Sequence, residues 1–560
     1  MNATRPLDCL IIGYNELPFD EYERILRTYG ETSEAYRDLR FNFVDVGEEK
    51  LTYVDLLNAA AAAAAQEMEP GRRARRPFQS GDMPNLAAAY LTHYLRRRDL
   101  EADYVNLFQR ETQRLEALLA ADPLCVAITT TFYVLNQPVS EIVRFIRAHN
   151  RRTKIVVGGP LIANHHRRYE GAELQLALED IGADFYVIES QGEHTLARIV
   201  RTLREGGGLA TVPNLAWIEN GSLRRTATEP ENNSLDEDYV DWRRLSDASL
   251  GPTLQSRTAK SCAFSCAFCA YPIRAGRLTL AHLDTIEKEL DSMRALGGVR
   301  NVVFIDDTFN VPLKRFKEIC RLMIEKDYGF SWFSYFRCSN ADGEAVELMA
   351  RSGCRGVFLG VESGSPSVLR KMNKAATVEQ YERGIRMLQQ HGILTFGSFI
   401  FGFPGETTET VQETIDFIRR TVMDYYRIQL WYCEAGTPVY DRREELGITG
   451  QGFRWHHATM SSSEAMDHIE RAFLSIRESE WLPQWSFDFW IIPYLLGRGV
   501  SLEQFRTFMQ QANRMLELEF GDVPTARKVE RQRTRLECLV GSLSFAGVPG
   551  AAQSEVQPWT

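Results

Sequence analysis

The sequence predicts an α/β protein in three parts: an N-terminal doubly wound, Rossmann-like parallel sheet, a β/α (partial TIM) barrel, and a mostly helical C-terminal region. Two observations carry that prediction. Strand-like apolar runs alternate with helical patterns twice, once before residue 206 and again after residue 251, and a turn-rich acidic stretch separates the two series. A third observation, three cysteines within eight residues at the head of the second series, marks where chemistry is expected. At roughly 100–200 residues per domain, a chain of 560 residues has room for all three parts.

In the first series the apolar runs are DCLIIGY (8–14), DYVNLF (103–108), LCVAITTT (124–131), KIVVGGP (154–160) and DFYVIE (184–189), with helical patterns such as NLAAAYLTHYLRRR (85–98) and VSEIVRFIRAHN (139–150) between them. Strand then helix at this spacing gives a parallel sheet with helices on both faces. An alanine-rich run and the basic stretch GRRARRP (71–77) read as a helix followed by a solvated loop. The second series runs through VVFID (302–306), FSWFSYF (330–336), GVFLGVE (356–362), TFGSFIFGFP (395–404) and YRIQLWYCE (426–434), a rhythm that suits a β/α barrel. The expected boundaries are 1–215 for the first sheet, 216–250 for a linker with room for a small hairpin, 251–450 for the barrel and 451–560 for the C-terminal region.

Composition narrows the function classes. A net charge of −10 gives no general attraction to nucleic acid or to an anionic membrane, and anionic small substrates would need a local cationic clamp. No apolar run reaches the ~20 residues of a membrane span, and the N-terminus lacks the pattern of a signal peptide, so the expectation is a cytoplasmic enzyme. Seven of the ten cysteines are scattered and read as small buried hydrophobes. Cys262, Cys266 and Cys269 stand in CAFSCAFC, whose CxxxCxxC spacing lets one tight loop hold three irons of a cubane and leaves a fourth iron open. The competing reading is a zinc loop, which would want four closed ligands, and no fourth Cys or His is near in sequence.

This loop resembles that of the radical S-adenosylmethionine (SAM) superfamily, and further segments match in order. Phe304–Phe309, containing Asp306, resembles the end of the second barrel strand. Gly360–Gly364, containing Glu362, resembles the element that meets the SAM ribose. Arg337 is the candidate for the SAM carboxylate. Gly402–Thr407, containing Gly402 and Gly405, resembles the turn after the fifth strand, and Gly436–Pro438 the turn after the sixth. The resemblance implies a 4Fe–4S cluster on the three cysteines, SAM on its open iron, and a flavodoxin- or ferredoxin-like electron donor.

A parallel sheet ahead of this motif resembles the cobalamin-binding radical SAM methyltransferases, where the corrin lies on the C-terminal edge of the sheet. Thr129 and Thr130 end the third strand with hydroxyls for the cofactor's nucleotide tail, Gly158 and Gly159 end the fourth, and Gly192 and Glu193 follow the fifth. One departure is clear: the DxHxxG motif is absent, since the first strand ends in Gly13-Tyr14-Asn15-Glu16, so no His is assigned to cobalt. The absence of GxGxxG argues against a nicotinamide site, and a non-binding scaffold sheet is the other alternative. The segments DCLIIGYNE, AYRDL (35–39), DYVNLF and GGPLIAN resemble the phosphinate P-methyltransferases of phosphinothricin tripeptide (antibiotic) biosynthesis. That implies transfer of a methyl from methylcobalamin to the phosphorus of N-acetyldemethylphosphinothricin or its peptide. Methylation of carbon in a peptide or natural product, and cobalamin chemistry without methyl transfer, are the alternatives. A cluster- and cobalamin-based sensor fits less well, because it has no need of the SAM segments. Arg454, His456 and His457, in GFRWHHATM, group a guanidinium with two imidazoles and form the catalytic, substrate-side candidate.

Overall fold

The computed structural model describes residues 7–68, 77–245, 250–521 and 525–542. The basic stretch at 71–76 lies outside the described residues. The first sheet contains β1 (Cys9–Tyr14), β2 (Ala102–Leu107), β3 (Cys125–Thr129), β4 (Lys154–Gly158), β5 (Phe185–Val187), β6 (Leu215–Glu219) and β7 (Ser222–Arg225), in the order β2-β1-β3-β4-β5-β6-β7. The first five strands are parallel, and β6 and β7 add an antiparallel hairpin at the edge. The hairpin begins at 215, so the segment expected to open a linker at 216 belongs to this sheet. Strand order reverses between β1 and β3, and such a switch point opens a crevice at the carboxyl ends of the strands. Leu10, Ile12, Val126, Ile128, Ile155 and Val157 are fully or almost fully buried against helices, as a doubly covered sheet requires.

The second sheet is all parallel and in chain order: β8 (Thr253–Ser256), β9 (Asn301–Phe304), β10 (Ser331–Tyr335), β11 (Cys354–Glu362), β12 (Leu394–Phe401), β13 (Tyr425–Leu430) and the two-residue β14 (Glu480–Trp481). This is the expected open β/α barrel. Sequence patterning missed β8, which is short and carries a polar Gln255, and β14, which is too short to show a period. Phe489 lies in the bore against Phe333, Phe358 and Phe396, with ring centroids 5.7–6.1 Å away. The helix Ile491–Gly497 closes the N-terminal end, where the Pro493 carbonyl accepts from Thr253 Oγ1 and Asn301 Nδ2, both at 3.0 Å.

Residues 19–68, between β1 and β2, leave the first sheet and pack on the C-terminal helices Ser462–Ser475, Leu502–Phe520 and Thr525–Ser542. Arg37 pairs with Asp467 and Glu470 at 2.6 and 2.9 Å, Tyr53 donates to Asn513 Oδ1 at 2.7 Å, and Phe41 stacks on Phe520 with centroids 4.5 Å apart. The helical C-terminal region is therefore half of a composite body whose other half comes from near the N-terminus. Among the described residues no helix is long and apolar enough to cross a membrane.

Phe41 is fully buried between Phe473, Trp481 and Phe520. Phe41→Ala is expected to lower the unfolding free energy by about 3–5 kcal/mol, read from urea unfolding followed by tryptophan fluorescence. A loss under about 1 kcal/mol would show that the two chain segments do not stabilise one another.

Candidate active site

The three cysteines sit on a loop with little secondary structure of its own, so its anchors decide its shape. Its entry, Ala259–Lys260, pairs with Thr279–Leu280 in a short ribbon. Asp306, at the end of β9, accepts hydrogen bonds from Thr258 N at 2.6 Å, from Ala259 N at 3.0 Å and from the Thr258 hydroxyl. It is 1% exposed, and its carboxyl is pushed up first by burial and pulled back by these donors. Asp306, a cofactor-binding candidate from its place in the Phe304–Phe309 segment, has both oxygens committed to setting the loop. Downstream, Cys269 N donates to Cys266 O at 3.1 Å, Ala267 N to Met372 O at 2.8 Å, and Val439 N to Ala267 O at 2.9 Å. The last bond brings the Gly436–Pro438 turn onto the cysteine loop.

Arg337 and Glu362 converge on the same loop. The Arg337 guanidinium lies 3.6 Å from the Phe264 ring centroid, and its Nη2 donates to the carbonyls of Lys374 and Ala375. Glu362, at the end of β11 with φ of 69°, pairs with Lys374 at 2.8 Å, and Lys374 stands 5.5 Å over Phe268. Burial pushes the Cys266 thiol up, and Lys374 and Arg337 pull it back. Among the described residues no three His, Cys, Asp or Glu converge on one ion. A cubane makes no such demand, since each thiolate binds its own iron. A loop of three thiols flanked by buried cations therefore fits a 4Fe–4S cluster.

Gly402 and Gly405 serve packing rather than cofactor contact. A Cβ at Gly402 would lie 2.3 Å from the Trp455 indole, one at Gly405 2.5 Å from Lys371 Nζ, and both glycines have positive φ. The strand Arg454–His457 alternates. Trp455 and His457 point inward, their rings stacked at 5.1 Å; Trp455 Nε1 donates to Trp431 O at 2.8 Å, and His457 Nε2 lies 3.1 Å from Gly402 O. His457 is 1% exposed, and burial lowers its pKa. The catalytic expectation for His457 is corrected to a packing role. His456 is exposed and does not line the large cavity described below; Arg454 does line it.

The sheet-edge candidates are likewise held by the protein. Thr129 donates to Gly13 O at 3.1 Å, and Thr130 donates to Gly158 O at 2.9 Å and accepts from Leu161 N. A Cβ at Gly159 would lie 2.8 Å from Thr130 Oγ1, one at Gly158 3.1 Å from Val187, and one at Gly192 3.0 Å from Val187. The Gln191–Glu193 turn joins the two sheets: Lys260 donates to Gln191 Oε1 and Asn233 O, both at 3.1 Å, and Asn233 donates to Glu193 at 2.8 Å. The hydroxyls and carboxylate expected to meet a cofactor are thus committed to shaping the crevice and its junction with the cysteine loop.

Sequence reasoning missed the chamber itself. A cavity of about 1400 Å³ lies where the switch-point edge (Tyr14, Asn106, Phe132, Val134), the barrel (Gln255, Arg427, Gln429) and the composite body (Tyr22, Asp38, Trp485) meet. Its volume exceeds the ~300–1,000 Å³ of an ordinary ligand pocket. Tyr29, Phe132, Val134 and Tyr432, 48–81% exposed, all line it, as expected of walls awaiting an apolar ligand face. Those walls and the volume fit a corrin, and no His is among the lining residues.

Two outcomes follow from this geometry. Alanine at Cys262, Cys266 and Cys269 together is expected to abolish cluster iron, about four per chain in the parent, while Cys320→Ala, in the core, leaves the iron count unchanged; retained iron in the triple variant would refute the assignment. Glu406 is fully buried with Oε1 unpartnered, and burial raises its pKa from 4.5 to about 8. The folded state therefore holds this proton more tightly than the unfolded chain, and the stabilisation present below pH 4.5 is lost as pH rises to about 8. Glu406→Gln should flatten that part of the stability profile in denaturant titrations; an unchanged slope would contradict it.

Residues 257–418 match the radical SAM superfamily and residues 79–200 the B12 binding domain. An uncharacterized methyltransferase of Pyrococcus horikoshii is 26% identical over 329 residues, 57% of this chain and 69% of its own length. Among solved structures, the radical S-adenosylmethionine methyltransferase TsrM from Kitasatospora setae, with cobalamin and a 4Fe–4S cluster bound, aligns with a TM-score of 0.55 at 21% identity, over 65% of this chain and 73% of that one. The cobalamin-dependent S-adenosylmethionine radical enzyme OxsB aligns with a TM-score of 0.55 at 16% identity, over 82% and 73%. At these identities the solved structures establish the shared fold, and the two domain matches establish its cofactors, SAM with its cluster and cobalamin. With a cysteine loop at the head of a barrel that matches the radical SAM superfamily and a switch-point sheet that matches the B12 binding domain, the chain is similar to the cobalamin-dependent radical SAM methyltransferases.

Proposed function

We propose that this enzyme transfers a methyl group from SAM, by way of methylcobalamin, to the phosphinate phosphorus of N-acetyldemethylphosphinothricin or its peptide, in antibiotic biosynthesis. The observation that carries the reading is the chamber: two segments resembling P-methyltransferases, Gly13–Glu16 and Ala35–Leu39, supply its walls through Tyr14, Glu16, Ala35, Asp38 and Leu39. The cofactors supply the adenosyl radical and the methyl donor when bound. The chain's own residues do the rest. Cys262, Cys266 and Cys269 hold the cluster, and Arg337, Glu362 and Lys374 order the loop around it. The chamber walls restrict water near a radical. Arg454 stands exposed among the cavity-lining residues and draws an anionic substrate into a protein of net negative charge. An external flavodoxin- or ferredoxin-like protein would deliver the electrons.

The test is anaerobic turnover with SAM, methylcobalamin, a reductant and the P–H substrate, followed by phosphorus NMR. The expected result is loss of the P–H coupling with growth of a P–methyl signal. Methyl gain on carbon, or none, would overturn the phosphinate assignment. Arg454→Lys keeps the charge and loses the planar fork, so it should raise KM for the substrate about tenfold while 5′-deoxyadenosine release continues. An unchanged KM would place the clamp elsewhere.

A further inference from the structure

One strand of the barrel carries a guanidinium that the fold leaves unsatisfied. Arg427, on β13, is 3% exposed. Its Nε and Nη1 have no hydrogen-bond partner, and its Nη2 stands 3.8 Å from Asp38 Oδ1, beyond hydrogen-bond reach. Buried polar groups are normally bonded, and a charge withdrawn from water with its donors unmade is the unfavourable case. Burial accordingly lowers the Arg427 pKa, against the opposing pull of Asp38 and Asp488.

The neighbours explain why the donors stay free. Asp38 rides on the helix Glu34–Leu39, which is tied down by the Arg37 pairs to Asp467 and Glu470, so its carboxylate is held at a distance. Asp488 accepts from Trp490 N at 3.1 Å. Asp38 and Asp488 both line the chamber, and so do Arg427, Gln429, two residues along β13, and Gln255 on β8. What the wall presents at this point is a planar guanidinium with Nε and Nη1 unpaired and the Asp38 carboxylate near it without occupying it.

We propose that Arg427 is the inner seat for an oxyanion of the substrate, a phosphinate or a carboxylate, with the Asp38 and Asp488 carboxylates near the guanidinium but not bonded to it. The inference rests on the reading that the chamber receives the substrate. Arg454 and Arg427 then divide the work: the exposed one attracts the anion, and the buried one orients it through hydrogen bonds that an ammonium cannot reproduce. A seat on β13 also fixes the substrate to the same barrel that carries the cysteine loop.

The experiment uses the full-length protein with cluster and cobalamin bound, and equilibrium calorimetry with two probes, sodium hypophosphite for a phosphinate and sodium acetate for a carboxylate. Binding of hypophosphite alone assigns the seat to a phosphinate, and binding of acetate alone to a carboxylate. Arg427→Gln, with iron content and the cobalamin spectrum retained, should weaken the bound probe about tenfold or more, and Arg427→Lys should not restore it. Asp38→Asn removes a competing negative charge and should tighten the same probe several-fold, a result that does not depend on how the Arg427 variants fold. The proposal is overturned if neither probe binds, if folded Arg427→Gln binds within about twofold of the parent, or if Asp38→Asn leaves the affinity unchanged. Because no turnover is involved, methylation at carbon would defeat the proposed reaction and leave this result standing.

Discussion

The buried carboxylate of Asp306 is the contact on which the rest of the site depends. The cysteine loop has only a two-residue ribbon at its entry, so its thiols take their positions from whatever holds the backbone just before them. Three hydrogen bonds from Thr258 and Ala259 to one carboxylate lock that backbone to the end of β9. The arrangement withdraws Asp306 from water, and burial raises its pKa; the donors offset that penalty by favouring the ionised form. A loop anchored at one point would still swing. The Ala267 bonds to Met372 and Val439 clip its far side to two short helices, Pro366–Lys371 and Pro438–Asp441, so segments far apart in sequence share one loop geometry.

The same economy governs the chamber. None of the three bodies encloses it alone: the first sheet offers a crevice, the barrel an open mouth, and the composite body a wall. The junction between the sheets is polar and specific, with the Lys260 ammonium bridging Gln191 and Asn233 next to Cys262. Any tilt of one sheet against the other would therefore move the cysteine loop with it, which keeps the two cofactor regions in register.

Much of this was legible in the sequence, and the reasons for the misses are physical. Both sheets announced themselves because buried parallel strands are continuous apolar runs, and the cysteine spacing announced the cluster loop. Side-chain roles were less legible. Thr129, Thr130, Asp306 and His457 are polar residues at strand ends or turns, where a cofactor contact and a structural hydrogen bond leave the same trace in sequence. Gly402 was read as part of the turn after the fifth strand; its neighbour is the Trp455 indole. Arg427 was hidden inside the apolar run YRIQLWYCE, where a charge reads as an interruption of the strand rather than as its purpose. The chamber was invisible because its walls come from residues hundreds apart, and the composite body has no local signal at all.

That composite body has a consequence for how the protein is made. Arg37 and Glu470, which join its halves, are separated by 433 residues. At the ribosome's roughly 5–20 residues per second, the first half waits on the order of 20–90 s for the second. During that interval the first sheet and the barrel strands through β13 are made while the wall that Tyr22 and Asp38 contribute is still unbraced. Closing the chamber therefore follows the synthesis of the C-terminal helices that brace this wall.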